Sequence, residues 1–199
     1  MPDFSVTSHH IAELLVHVGR AARSETAGSD LTAAQWTCLR FFARANGSTR
    51  TPSCFASFQA TTRGTASQII KSLEHAGLIV RTPSDHDRRS VCFGLTDAGR
   101  VLLENDPLGD LTELLDGLGG AERDVFLATL SQLAGALAAR RDVPAFGTCG
   151  ECSHFNTSGD ATFCSCMAAE LAFEETTKLC GSYFPRRTTI TNGDHNDPS

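Results

Sequence analysis

The run from residue 63 to residue 95 narrows the choice of fold more than any other part of this chain. From Arg63 to Glu74, apolar Ala66, Ile69, Ile70 and Leu73 recur at steps of three and four, so the stretch is a helix with one buried face. The opposite face carries Arg63, Thr65, Ser67, Gln68, Lys71 and Ser72, with no carboxylate before Glu74. Gly77 stops the helix, because glycine readily takes the left-handed conformation that ends one. The period then changes. Residues 78–81 and 90–95 are short β-prone runs joined by a loop rich in Pro, Ser and Asp, with Arg88 and Arg89 side by side. A helix followed by a hairpin with adjacent arginines at its tip predicts a winged helix-turn-helix. Such a helix can lie in a major groove, where Arg, Gln, Ser and Thr match base edges and Lys meets phosphate; the wing reaches backbone or minor groove. The competing use is a protein contact with solvated charges, but basic faces on this motif usually meet phosphate.

The flanking segments fit around that unit. Residues 7–24 form a helix with Ile11, Leu14, Leu15 and Val18 on one stripe, and the histidines beside it (His9, His10, His17) are exposed or capping residues. Asp30 is placed to cap a second helix over 31–45, whose Trp36, Leu39, Phe41 and Phe42 supply aromatic weight to the core, with Cys38 a small buried hydrophobe. Residues 52–59 are the first helix of the pair, with Cys54, Phe55 and Phe58 inward, and Thr61 and Thr62 turn the chain and cap the next. Downstream, Thr96 caps a helix that Pro107 interrupts; a helical pattern resumes over 108–118, and Gly119-Gly120 precedes a long helix over 121–141. The stripe of Val125, Leu130, Leu133 and Leu137 on that last helix is wider than one domain face needs. The excess is either dimer interface or internal core.

The chain resembles the MarR family of bacterial transcription regulators over roughly residues 7–141. The residues that carry the resemblance are Ser67 to Leu73, Gly77-Leu78-Ile79, Asp87-Arg88-Arg89, and Leu95-Thr96-Asp97-Ala98-Gly99. The family's wing motif is an Asp, any residue, then Arg, filled here by Asp87 and Arg89. The resemblance implies that Asp87 orients the wing and Arg89 enters the minor groove. It also implies a homodimer, built by the first and last helices, presenting two recognition helices to a pseudo-palindromic double-stranded operator. Peroxide sensors of this type place a reactive cysteine in the N-terminal helix; there is none here, so that route is not expected.

Composition bears on partners and compartment. A net charge of −6 looks wrong for a nucleic-acid binder, but residues 142–199 hold eight acids against three bases, so most of the acidity lies away from the reading head. No apolar run is long enough to span a membrane and no secretory signal opens the chain, which points to the cytoplasm. No nucleophile, base and oxyanion arrangement appears, so an enzyme is not expected.

Cysteine usage is the second strong signal: five of the eight cysteines fall between Cys149 and Cys180. In a reduced compartment such clusters mean metal or redox chemistry rather than structural disulfides. Cys149 and Cys152 form a Cys-x-x-Cys knuckle; Cys164, Cys166 and Cys180 follow, with a polar loop expected over 156–162 and a helix over 167–179. Four of the five are candidate ligands, with Cys164 and Cys166 as alternatives. Taking Cys166 gives intervals of two, thirteen and thirteen, similar to high-potential iron proteins in spacing only; taking Cys164 gives two, eleven and fifteen, similar to Cys-rich extensions of some MarR-like regulators. An iron–sulfur cluster (4Fe-4S preferred, 2Fe-2S the smaller option) is favoured over structural zinc, which prefers two compact knuckles. A metal-free thiol–disulfide switch is the third option.

The expected architecture is therefore mainly α. A winged helix-turn-helix and dimerisation domain spans 1–143, a small Cys-rich metal-binding module 144–187, and a disordered tail 188–199. The expected function is transcription regulation, as a repressor, answering to iron, oxygen or redox state. Two alternatives stand beside it: a regulator of the same type that binds a small aromatic ligand and carries a zinc tail, and an electron-transfer or metal-trafficking protein with a vestigial winged helix.

Overall fold

A computed structural model describes residues 4–22, 31–83, 91–158 and 161–186. The first helix, α1, is Phe4–Ala21. The second, α2, is Ala33–Arg44, and it is capped by Thr32 rather than by Asp30, which lies outside the described residues. Thr32 Oγ1 accepts the Gln35 N–H at 3.3 Å while Gln35 Oε1 accepts the Thr32 N–H at 2.8 Å, so two orphan donors are satisfied reciprocally. That pairing of side chains is the reason Thr32 outcompetes an aspartate two residues earlier.

Helices α3 (Pro52–Phe58) and α4 (Arg63–His75) make the helix-turn-helix, capped by Thr51 and Thr62. Gly77, at φ +70°, releases the chain from α4 into β1 (Ile79–Thr82). Strand β1 pairs antiparallel with β2 (Cys92–Leu95), Ile79 opposite Leu95 and Thr82 opposite Cys92. Thr96 then caps α5 (Asp97–Leu103), and α6 (Gly109–Asp116) and α7 (Gly120–Arg140) follow. Gly99 sits where α5 crosses the start of the wing: a Cβ there would lie 2.1 Å from the Leu78 carbonyl oxygen.

The core lies between α2, α3, α4 and the wing. Phe41, Phe42, Phe55, Leu39, Leu73 and Ile79 are fully buried, and Phe42 stacks on Phe41, Phe55 and Phe93 at 5.4, 6.0 and 5.5 Å between ring centres. An Arg40–Asp106 pair at 2.6 Å, mostly shielded, joins α2 to the α5–α6 turn. By contrast, α6 and α7 bury no residue, and Ile11, Leu14, Leu15 and Val18 of α1 and Val125, Phe126, Leu127, Leu133 and Leu137 of α7 stay open. No helix among the described residues is long and apolar enough to cross a membrane.

The Cys-rich region departs from expectation in two places. The segment expected as a polar loop holds strands β3 (Phe155–Ser158) and β4 (Ala161–Cys164), and β4 pairs onward with β5 (Ala169–Glu170). Where a helix was expected over 167–179, only the single turn α8 (Phe173–Thr176) is helical. Thr157, Thr162 and Phe163 favour a pleated surface, and pairing β4 with β5 lets Leu171 N–H and Thr162 carbonyl satisfy each other at 2.8 Å. Backbone hydrogen bonds that a helix would have closed locally are made across the sheet instead.

This region does not stand apart from the winged helix. Phe146 returns to the aromatic core, 5.3 Å from Phe58 and 6.4 Å from Phe41. Leu179 forms a parallel bridge with Ala45, with Asn46 N–H to Leu179 carbonyl at 2.9 Å and Leu179 N–H to Arg44 carbonyl at 2.8 Å.

Candidate nucleic-acid interface and cysteine site

Helix α4 buries Ala66, Ile70 and Leu73 and turns its other side outward. Arg63, Thr65, Gln68 and Lys71 are exposed and Ser67 is half-buried. Gly64, Gln68, Lys71 and His75 are spaced by four, three and four residues, so they form the centre line of the outward face, with Arg63 and Thr65 on its shoulders. Arg63, Gln68 and Lys71 make no ion pair among the described residues. Thr65 Oγ1 is engaged with the cap, 3.0 Å from Thr62 Oγ1. Ser72 is exposed, and its Oγ accepts from Gln35 Nε2 at 2.8 Å, a bond that links α4 to α2.

The one carboxylate in the sequence of α4, Glu74, is paired. Glu74 accepts from Arg81 Nε at 2.8 Å, and that hydrogen bond, with the accompanying charge attraction, raises the Arg81 pKa. The Arg81 guanidinium also lies 5.8 Å from the Phe93 ring centre, tying helix end, strand and wing together. The wing tip with Asp87, Arg88 and Arg89 lies outside the described residues. His75 was not among the sequence-chosen residues, although the same periodicity that picks Gln68 and Lys71 reaches it.

The second constellation is the cysteines. All eight are free. Cys149 stands on a one-turn 3-10 segment (Cys149–Glu151), Cys152 at its end, Cys164 at the end of β4, and Cys180 in an antiparallel bridge with Gly147. Cys149, Cys152 and Cys180 are buried and Cys164 is half-buried. Burial pushes the Cys149 thiol up to about 11, reinforced by the charges of Cys180, Cys152, Cys164 and Glu175. Burial likewise raises Cys180, against lowering hydrogen bonds from the Ser182 backbone and the Asn46 side chain, and Cys152 and Cys164 raise it further. These four thiols are therefore close enough to influence one another's charge. Cys166 is exposed, while Cys164 is half-buried and is the one of the two alternatives that contributes to the shifts of Cys149 and Cys180. His154 is occupied in stacking on Phe184, 5.9 Å between ring centres. Cys38 is wholly buried, which raises its pKa and leaves it an unreactive core residue.

The knuckle is braced from behind. Arg186 Nε donates to the Cys152 carbonyl at 3.0 Å and its Nη2 to the Phe155 carbonyl at 3.1 Å, and Ser153 N–H donates to the Phe184 carbonyl at 2.8 Å. Four soft thiols converging without a disulfide suit a thiophilic metal or an iron–sulfur cluster. No group of three or more His, Cys, Asp or Glu side chains among the described residues is arranged to hold a single metal ion. The thiols are electrostatic neighbours rather than a closed tetrahedral shell.

The architecture defines a winged helix-turn-helix, and the comparisons place it more closely. The MarR family's sequence model matches residues 29–90, the segment that holds α2, both helices of the helix-turn-helix and the first strand of the hairpin. Among solved structures, Streptococcus pneumoniae FabT in complex with DNA superposes with a TM-score of 0.52 at 24% identity, covering 69% of this chain and 99% of that one. S. aureus MepR in its DNA-binding conformation gives 0.53 at 22% identity, covering 66% and 98%. These likenesses show a shared fold, and about a third of this chain falls outside each of them. No curated protein matches the chain.

Proposed function

We propose that this protein is a homodimeric MarR-type transcription regulator, a repressor, that binds a pseudo-palindromic DNA operator. Its operator binding answers to iron, oxygen or redox state through an iron–sulfur cluster on Cys149, Cys152, Cys164 and Cys180. The observation that carries the first half is the outward line of α4, polar and cationic, with its one nearby acid already paired to Arg81. The uncovered stripes on α1 and α7 support a second copy as the partner that buries them. Binding to operators selected in vitro from a random duplex pool, measured against salt, tests this half; a protein indifferent to every duplex at low ionic strength refutes it.

The thiol set supports the second half. Cys149, Cys152 and Cys180 are buried and Cys164 is half-buried, and structural zinc usually prefers two compact knuckles where this chain has one. Bound there, the cluster would supply sensitivity to oxygen and to iron supply. The chain's own part is to bury the ligands and brace the knuckle with Arg186. Anaerobic purification followed by an absorption spectrum and metal analysis is the test, and a colourless zinc protein refutes it.

A second reading has one observation in its favour. A groove of about 560 Å³ lies among α1, α2, α3 and α6, lined by Phe41, Phe58, Leu108 and Leu111 with Arg40 and Arg44 at its side. It has the aromatic walls that a small aromatic molecule would need, with Arg44 as a cation beside them; Arg40 is already paired with Asp106.

A further inference from the structure

The turn between α2 and α3, residues 45–50, is held from two sides. On one side lies the wing: Phe93 N–H donates to the Arg50 carbonyl at 2.9 Å, and the Cys92 thiol approaches the Gly47 carbonyl at 3.8 Å. On the other side lies the segment carrying Cys180. Leu179 bridges Ala45, the Gly181 N–H donates to Thr49 Oγ1 at 2.8 Å, and the Gly47 N–H donates to Glu175 Oε2 at 2.9 Å. The Asn46 N–H donates to the Leu179 carbonyl at 2.9 Å, while its Oδ1 accepts from Thr49 N–H and Ser48 Oγ, both at 3.0 Å. One residue later Thr51 caps α3, the helix on which α4 is seated. Asn46 and Thr49 are both buried, so these bonds are made out of water, where losing one is costly.

We propose that Asn46, Thr49 and Glu175 act as positioning residues that transmit the ligation state of Cys180 into the helix-turn-helix. With Cys180 ligated, the 179–181 strap is fixed and holds the turn, α3 and the inner edge of the wing in the arrangement that reads DNA. With Cys180 released, the strap loosens and operator affinity falls. The route runs through the reading head of each protomer and needs no change in the packing of α1 or α7. It rests on the cluster assigned above. By linkage, operator DNA must strengthen retention of the cluster by the same factor that the cluster strengthens DNA binding.

The test uses the full chain, reconstituted anaerobically with ferrous iron and sulfide and compared with the same protein stripped by a chelator. In the wild type, stripping should weaken binding to the selected operator about ten-fold or more, within the range of ordinary coupling. It should also speed hydrogen exchange at the Asn46, Gly47 and Thr49 amides. In the double variant Thr49→Val, Glu175→Gln, the reconstituted protein should keep its visible absorbance while the ratio of affinities falls to below about three. A variant that holds its cluster and keeps the full ratio overturns the proposal, as does unchanged amide exchange in stripped wild type, a measurement independent of how the variant folds. A wild type that takes up no cluster at all overturns the assignment of the cofactor as well, and is recognised by its missing absorbance.

Discussion

Replacing Lys71 with Gln isolates one phosphate contact per protomer. Lys71 is exposed on the centre line of α4, three residues beyond Gln68, and makes no ion pair among the described residues. Its loss should leave stability within about 0.5 kcal/mol of wild type, the usual effect of a surface change. A dimer carries two such ammonium groups. Each phosphate neutralised contributes about −0.9 to the slope of log K against log salt, so the slope should become shallower by about 1.8. The corresponding affinity loss is about 60-fold at 0.1 M monovalent salt and about 20-fold at 0.2 M. Fluorescence anisotropy with a labelled operator between 0.05 and about 0.4 M salt reads both quantities, in a range where the slope is well defined. A slope that does not change, in a variant that melts like the wild type, would show that Lys71 meets no phosphate and that α4 does not enter the groove by this face.

Three further outcomes follow from the geometry. Cys164→Ser should abolish iron retention while Cys166→Ser keeps it, as read by iron per protomer and visible absorbance; the reverse pattern would mean the sulfurs are grouped wrongly here. Gly99→Ala should destabilise by about 3 kcal/mol or more, since overpacking commonly costs 1–3 and the added Cβ meets Leu78 oxygen at 2.1 Å; a thermal midpoint within about a degree of wild type would refute the crossing. Leu14→Glu together with Leu137→Glu, on the open stripes of α1 and α7, should yield monomers by light scattering and weaken operator binding.

The reading head was legible because periodic burial and capping are local. Ala66, Ile70 and Leu73 fix the inner face of α4, Thr62 starts it, and Gly77 ends it, all within fifteen residues of one another. Asp30 was misread as a cap because a cap's partner decides the matter, and Gln35 answers Thr32. The tail was harder. Apolar and polar residues over 167–179 can be drawn on a helix, but the hydrogen bonds that won come from β4, a partner set by tertiary pairing. Spacing alone could not separate Cys164 from Cys166; the difference in their burial comes from β4, which ends on Cys164 and leaves Cys166 exposed in the turn beyond. The bond between Thr49 and Gly181 spans 132 residues, and no spacing rule reaches that far.

Phe146 has a practical consequence for anyone who would dissect this protein. Its ring covers Phe58 and Phe41, so trimming the polypeptide after α7 would uncover aromatic surface at the heart of the winged helix. The winged helix and the Cys-rich region share one hydrophobic seam and cannot be separated with scissors. Single-atom substitutions at sulfur, which spare the seam, are the cleaner instrument.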